Sequence, residues 1–330
     1  MTAFFKYFAR AAAIAPIAIA PIAIALASAA SAQAPYPNRN ITLVLPFAAG
    51  SGTDTTTRII SKELGTALGV GIVIDNKAGA NGAIAASFVA RSAPDGYTLM
   101  VSTNTPHSAN PYLMKSLNYD PIKDFTPIAR SGDLPFMLVI HPDIPAKSVA
   151  ELIALAKKEP GKYSYASGSS AAIVSGATFA QLAGINLLHV PYKSSPPALT
   201  DLTAGRVSMM FIDVLTGLPH VKAGALRALA VTTKQKSALM PDLPTMDETV
   251  KGFDITSWQG YFGPANMPKD VVTRLNAEIR KIVERPEIKA QLAERGMEAF
   301  SGPPEQFEAF LKEQLKVWEK LIADAGIEKQ

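Results

Sequence analysis

The feature that most limits the fold is an alternation of β-type runs and helical runs joined by loops rich in Gly, Ser and Asn. Ile41–Leu45 is a short apolar run that stops at Pro46, and Asp54–Leu68 then carries Ile60, Leu64, Ala67 and Leu68 at helical spacing. Gly69 and Gly71 end that helix, and Ile72–Ile74 reads as the next strand. A second glycine-rich loop, Asn76–Gly82, leads into a helix predicted with Ile84, Ala85, Phe88 and Val89 on one face. Pro94-Asp95-Gly96 is a turn signal, and Tyr97–Ser102 is the third strand. Strands linked through helices pair in parallel, with helices on both faces of the sheet.

A Pro-rich region, Asn110–Pro127, interrupts the alternation, and an apolar strand at Phe136–Ile140 follows, closed by Pro142 and Pro145. Ser148-Val149-Ala150-Glu151 is a capping box opening a helix to about Lys158. The alternation then resumes with strand Tyr163–Ala166, helix Ala172–Ala183 and strand Leu187–Val190. A helix starting at Pro196-Pro197 reaches Ala204, and Val207–Ile212 and Ala228–Thr232 are further strands. After a strand at Ile255–Phe262 the pattern gives three helical stretches with no strands between them. The last has Phe307, Leu311, Leu315, Trp318 and Ile322 on one face. The fold class expected is α/β, in two lobes.

Residues 1–32 read as a secretory signal peptide. Lys6 and Arg10 form a basic start, Ala11–Leu26 is uncharged, and Ala30-Ser31-Ala32 has the small-residue form that signal peptidase requires. Pro16 and Pro21 interrupt the apolar run, which falls short of the roughly 20 residues of a membrane span. Cleavage near Ala32 leaves about 300 residues, enough for two lobes. Losing Lys6 and Arg10 lowers the formal charge from +4 to +2, too weak a balance to argue for nucleic acid or a membrane surface. The chain has no cysteine, which excludes disulfides, thiolate metal sites and thiol catalysis.

A search for catalytic constellations returns little. There is no G-x-S-x-G elbow, no H-E-x-x-H and no P-loop lysine. Gly50-Ser51-Gly52-Thr53-Asp54-Thr55 starts like a dinucleotide fingerprint but lacks the third glycine. His107, His141, His189 and His220 are scattered singly, and no acidic or histidine cluster has metal-ligand spacing. No catalytic residue, metal or cofactor is expected.

What recurs is a strand, then a Gly/Ser loop, then a helix start. Such a junction leaves backbone N–H groups unpaired beside the positive end of a helix, an arrangement that binds anions. Ile41–Asp54 has this form, as do Ser167-Gly168-Ser169-Ser170 and Tyr192-Lys193-Ser194-Ser195. Any one of these loops needs Gly, Ser or Thr merely to turn and cap. Several of them at strand carboxyl ends, where open α/β sheets bind ligands, point to a cleft. No Arg or Lys occurs between Phe47 and Thr57, so an anion there is held by dipoles and hydrogen bonds, without a buried counter-charge.

From about Tyr36 to the C-terminal helix the chain resembles the Bug family, the extracytoplasmic solute-binding receptors of tripartite tricarboxylate transporters. The carriers include Val44-Leu45-Pro46-Phe47 through Gly50, Gly52 and Asp54, then Asp75–Gly82, Ala93–Leu99, His189–Lys193, Pro197–Leu202, Leu226–Val231 and Pro244-Thr245-Met246. The resemblance implies a two-lobed fold of the periplasmic-binding-protein type II kind, joined by a hinge of two crossovers and closing over a small carboxylate. Crossings near Gly132–Phe136 and Thr256–Gly263 give lobe 1 as 33–134 with a return at 257–330, and lobe 2 as 135–256.

By position it also implies ligand-binding roles for Phe47, Ala48, Ser51, Gly52, Thr53, Asp54 and Asn104 in the first lobe. In the second lobe it implies Ser167, Ser169, Ser170, Tyr192, Lys193 and Asp213. The implied partners are a di- or tricarboxylate, aromatic acid or amino acid, and the membrane subunits of a transporter. No nucleic acid is expected, and the receptor is expected to be a periplasmic monomer. Two departures stand out: the Ser167–Ser170 loop is short and lacks the histidine that follows it in many relatives, and Ser194 replaces a glycine. An exported ligand sensor on the same fold is the alternative role. An exported hydrolase using a serine such as Ser51 or Ser169 is a weaker one.

Overall fold

A computed structural model describes residues 36–329 apart from Leu239. The expected signal peptide lies outside the described residues. The first sheet begins with β1 (Ile41–Leu45), followed by α1 (Gly52–Leu68) and β2 (Ile72–Asn76). A 3-10 turn at Ala80–Gly82 leads into α2 (Ala83–Ala90), then β3 (Thr98–Thr103), a π-turn at Thr105–Ala109 and α3 (Asn110–Leu113). On α2 the buried face is Ala85, Ala86 and Val89, while Ile84 and Phe88 point to solvent. This corrects the expected apolar face: the helix lies close against the sheet, and only the small side chains fit beneath it.

The central element is β4 (Phe125–Ile140), a 16-residue strand of which only the last five residues were expected. Pro127 and Pro135 hide its first part from a reading of local pattern, and bulges at Pro127/Ala129 and Arg130/Gly132 break the regular alternation. The chain then forms α4 (Val149–Lys158), β5 (Ser164–Ser167), α5 (Ser170–Ala183), β6 (Leu188–Pro191), α6 (Ser195–Thr203), β7 (Met209–Asp213), α7 (Val214–Lys222), β8 (Arg227–Val231) and α8 (Met246–Thr249). It closes with β9 (Thr256–Pro264), α9 (Lys269–Glu284), α10 (Pro286–Ala293), β10 (Glu298–Ala299) and α11 (Pro304–Asp324). The two-residue β10 pairs with β4 at Asp133 and Gly132, so the tail is not free of strands.

At α4 the Ser148 hydroxyl accepts from the Glu151 N–H (3.2 Å), but the Glu151 carboxylate reaches past the cap to the Lys147 N–H (2.6 Å). The box therefore closes one residue earlier than its pattern implies.

The sheet runs β2-β1-β3-β9-β4-β7-β5-β6, with β8 and β10 also pairing β4. β1, β2 and β3 are parallel, as are β5, β6 and β7, which accords with helical crossovers on each side. β4 and β9 are antiparallel to each other over Phe125–Pro135, and from Phe136 onward β4 pairs β7 instead. One continuous strand thus serves both halves of the sheet. The curled mixed sheet with a lobe on each half is the α/β, two-lobed fold expected.

Helices cover both faces of each half. The β1–β3 half packs Leu43, Leu45 and Leu99 under α1 and α9, and Val44, Met100 and Phe262 under α2 and α11. The other half buries Phe179, Phe211 and Phe253 on one face and Met210, Ile212 and Leu199 on the other. The last helix joins two cores. Phe307 and Leu311 pack with Trp258 and Phe262, whereas Trp318 and Ile322 pack in the cluster of Phe179 and Phe211.

Candidate functional site

The parallel strands of both halves end facing one another, so the loops at their carboxyl ends meet. Between them lies a cavity of about 30 Å³, lined by Phe47, Ser51, Gly52, Thr53, Ser169 and Asp213 among the residues expected. That volume holds roughly one or two water molecules, so a larger guest enters only as the walls separate. Six further residues complete the wall: Thr103 and Thr105 at the end of β3, Leu134 and Phe136 on β4, Ser195 at the start of α6 and Ser257 on β9. Ser195 falls in a loop that the sequence marks as an anion junction, and the other five carry no local signal of a site. Thr103, Thr105 and Ser257 come together only through the β3–β9 pairing, which no local spacing encodes.

Four helix starts converge here. Ser51 caps α1, its hydroxyl accepting from the Asp54 N–H at 3.3 Å. The first intrahelical bond is Thr55 N–H to Ser51 O, which leaves the Gly52 and Thr53 N–H groups without a backbone partner among the described residues. Ser169 caps α5 through the Ala172 N–H (3.3 Å), Ser195 begins α6, and Asp213 caps α7, its Oδ1 accepting from the Thr216 N–H (2.8 Å) and hydroxyl (2.7 Å). Aligned peptide dipoles make this a region of positive potential built without a cationic side chain in the α1 loop.

Asp213 is the one carboxylate in the wall. Burial pushes its pKa up, against the two bonds from Thr216 that favour the charged form. A Cβ on Gly52 would stand 2.4 Å from its Oδ1, so the carboxylate rests directly on the first turn of α1.

Asp54 has a different task. Its carboxylate lies beneath the loop and accepts from the Gly50 N–H (3.0 Å), the Asn76 amide (3.1 Å) and both Nε (3.0 Å) and Nη2 (3.0 Å) of Arg58. Burial pulls its pKa upward, but the Arg58 guanidinium, the Gly50 N–H and Asn76 together hold it below the usual value. The Asn76 amide also donates to Phe47 O (2.9 Å), tying β2 to the loop after β1.

Among the described residues, two side-chain hydrogen bonds cross between the halves. The Ala48 N–H donates to Ser194 Oγ (3.1 Å), and the Ser170 N–H donates to Thr105 Oγ1 (3.2 Å). The serine that replaces a glycine in the resemblance thus occupies the Ala48 donor. Asn104 is fully buried behind the cavity, its Oδ1 taken by the Ser257 hydroxyl and its amide nitrogen unpartnered.

Like Ala48, Asp54, Asn104 and Ser170, three more of the expected residues are not in the cavity lining. Ser167 pairs its hydroxyl with His189 Nε2 (2.7 Å), the Tyr192 hydroxyl donates to Asp201 Oδ2 (2.6 Å), and Lys193 is exposed. A second histidine meets a serine hydroxyl, since Ser102 Oγ lies 2.7 Å from His107 Nδ1, and the Asp143 N–H donates to His141 Nδ1 (3.3 Å). Neither serine–histidine pair makes a hydrolytic triad. His189 stacks on Tyr165 with no described carboxylate on Nδ1, and burial lowers its pKa; His107 is enclosed by Phe125, Phe262 and Trp258, and burial pushes its pKa down to about 3. Among the described residues no group of His, Asp and Glu has the arrangement of a metal site.

Comparison with known proteins follows this geometry. The chain is 31% identical over 282 residues to protein BugT of Bordetella pertussis, covering 84% of this chain and 86% of BugT. Among solved structures, Rhodopseudomonas palustris Rpa4515 with adipate superposes with a TM-score of 0.88 at 34% identity, covering 89% of this chain and all of the other. MatC of the same organism with bound malate gives a TM-score of 0.81 at 30% identity, covering 87% of this chain and 100% of MatC. The family model described as "Tripartite tricarboxylate transporter family receptor" matches residues 56–327, and a receptor family of this kind binds solutes and does not turn them over. On these matches, and on a fold that sets two α/β lobes around a cavity of converging helix starts, the chain belongs to the Bug family of tripartite tricarboxylate transporter receptors.

Proposed function

We propose that the protein is a periplasmic receptor that takes a small carboxylate between its lobes and presents it to the membrane subunits of a tripartite tricarboxylate transporter. The observation that carries this reading is the convergence of the α1, α5, α6 and α7 starts on one cavity, with the Gly52 and Thr53 N–H groups free to donate. The adipate and malate held by Rpa4515 and MatC support the same ligand chemistry. In this reading Phe47, Ser51, Gly52 and Thr53 hold the first carboxylate. Ser169, Ser170 and Asp213 close on the ligand from the second lobe. Ala48 and Asn104 shape the chamber from behind the first shell of contacts, and Asp54 fixes the loop. Ser167, Tyr192 and Lys193 stand at the chamber's margin.

The lobes are assigned as 33–134 with 257–330, and 135–256. Residues 1–32 are assigned as a leader removed near Ala32, which mass spectrometry of the exported protein measures directly. The mature receptor works as a monomer, which light scattering tests.

The decisive experiment is a thermal-shift screen of the mature chain against dicarboxylates, tricarboxylates, aromatic acids and amino acids. A ligand binding only the folded state stabilises it by mass action, by about 2.7 kcal/mol at a hundred times Kd, and so raises the midpoint. The expected result is a rise with at least one class, confirmed by calorimetry. No rise with any of them sinks the reading.

A further inference from the structure

Beside the cavity, along the same helix starts, lies a wider groove of about 550 Å³, within the range of small-molecule sites. The two spaces use successive residues: Ser51–Thr53 against Gly50 and Thr55, Ser195 against Pro196, and Asp213 against Leu215 and Thr216. The groove's body is apolar, formed by Pro196, Leu199, Leu215 and Pro219. Its threonines offer little to a guest as donors. Thr55, Thr200, Thr203 and Thr216 donate their hydroxyl protons to Ser51 O, Pro196 O, Thr200 O and Asp213 Oδ1 respectively.

Among the described residues the lining contains no carboxylate, and it includes His220 and Arg295. Arg295 donates to Gln291 O (3.0 Å) and makes no ion pair among the described residues, so most of its five N–H donors are available. Its place is set by Gly296, which has φ +80° and lies so near α7 that a Cβ would stand 2.8 Å from Val214 Cγ1. The turn between α10 and β10 therefore rests on the first residue of α7. It brings a cation of one lobe over a helix of the other.

We propose that this groove is a second subsite, which takes the apolar spacer and far acidic group of an elongated diacid, with Arg295 as the anchor of that far group. The proposal rests on the reading that the inner cavity takes the first carboxylate. A planar guanidinium fork suits a carboxylate bidentately, and the lack of any competing acid in the lining leaves the ligand as its natural counter-ion. Because the groove's walls come from α6 and α7 while Arg295 comes from the returning segment, a diacid long enough to reach it also holds the lobes together.

Calorimetry on the mature chain with unbranched α,ω-diacids of increasing length, each paired with the monoacid of equal length, tests this. The expected result is a preference for the diacid that appears only beyond a threshold length. Arg295→Gln should remove up to about fivefold of that preference, as for an exposed ion pair, and leave monoacid binding unchanged. Arg295→Lys should keep part of it. Arg295 is exposed, so both variants should fold like the parent. Binding of acids with a diacid-to-monoacid ratio indifferent to Arg295→Gln at every length overturns the groove alone. Failure of the unmodified chain to bind any acid of either series overturns the carboxylate reading beneath it.

Discussion

At the scale of single residues, the loop after β1 is held by a buried charge. Asp54 is almost fully buried and gathers four hydrogen bonds, so Asp54→Ala strands the Gly50 N–H and leaves the Asn76 amide only its bond to Phe47 O. The expected cost is about 2–3 kcal/mol in urea denaturation, with a fall in ligand affinity because the loop loses its frame. A plain helix cap would lower stability and leave affinity alone, and calorimetry on the variant separates the two. Since the folded pKa of Asp54 is depressed, its contribution is complete above the unfolded carboxylate value and fades as pH drops through the folded one.

His107 acts earlier on the acid side. Burial sets its pKa near 3 against an ordinary 6.5, so the unfolded chain takes up the proton that the folded chain refuses. Stability should be full above about pH 6.5 and fall by up to ~1.4 kcal/mol per pH unit below it. Comparing midpoints at pH 7.5 and 5 for the parent and His107→Gln measures this; an unchanged pH slope in the variant contradicts it.

At the scale of elements, Gly52 decides how close α1 and α7 approach. Alanine suits a helical position better than glycine by up to about 1 kcal/mol, so Gly52→Ala should not weaken an open form in which α1 has drawn back from α7. Its Cβ would nevertheless collide with an Asp213 carboxylate fixed by Thr216. The expected outcome is an unchanged melting temperature without ligand and an affinity at least tenfold lower, read by calorimetry; retained affinity contradicts a tight α1–α7 approach.

The same elements show what was readable in the sequence. The β1, β5 and β6 runs and the Ser148 cap announce themselves by local pattern, because each depends on neighbours within four residues. Ser51, Gly52 and Thr53 were legible as an anion loop for that reason. The first eleven residues of β4 were not, since two prolines and two bulges disguise a strand whose partner lies more than a hundred residues away. α7 was missed because Gly217 and Pro219 interrupt its helical signal, so Asp213 was placed by family context without its role as a cap. Ser257 and Thr105 were hidden because only pairing between distant strands brings them to the cavity.

At the scale of the molecule, the lobes share more than a hinge. β4 pairs with both halves of the sheet, and α11 places Phe307 in one core and Trp318 in another. The two tryptophans of the chain fall one to each of these clusters, which makes them separate reporters. Denaturation followed by fluorescence in Trp258→Phe and in Trp318→Phe should give transitions with the same sharpness, each shifted only by the cost of its own substitution. Two transitions of different slope, or a biphasic curve in circular dichroism, would show lobes that unfold separately.

The sheet order also fixes a sequence of events during synthesis. β3 finds its second neighbour only in β9, which begins at Thr256, and the first eleven residues of β4 wait for the same strand. Until roughly the last quarter of the chain has emerged, the amino-terminal strands have an open edge and no completed hydrophobic layer. Pairings across such separations form slowly, because loop closure must precede any gain from contact. A polypeptide built in this order stays threadable for most of its own production, which is the physical state in which a chain can be passed through a narrow membrane channel.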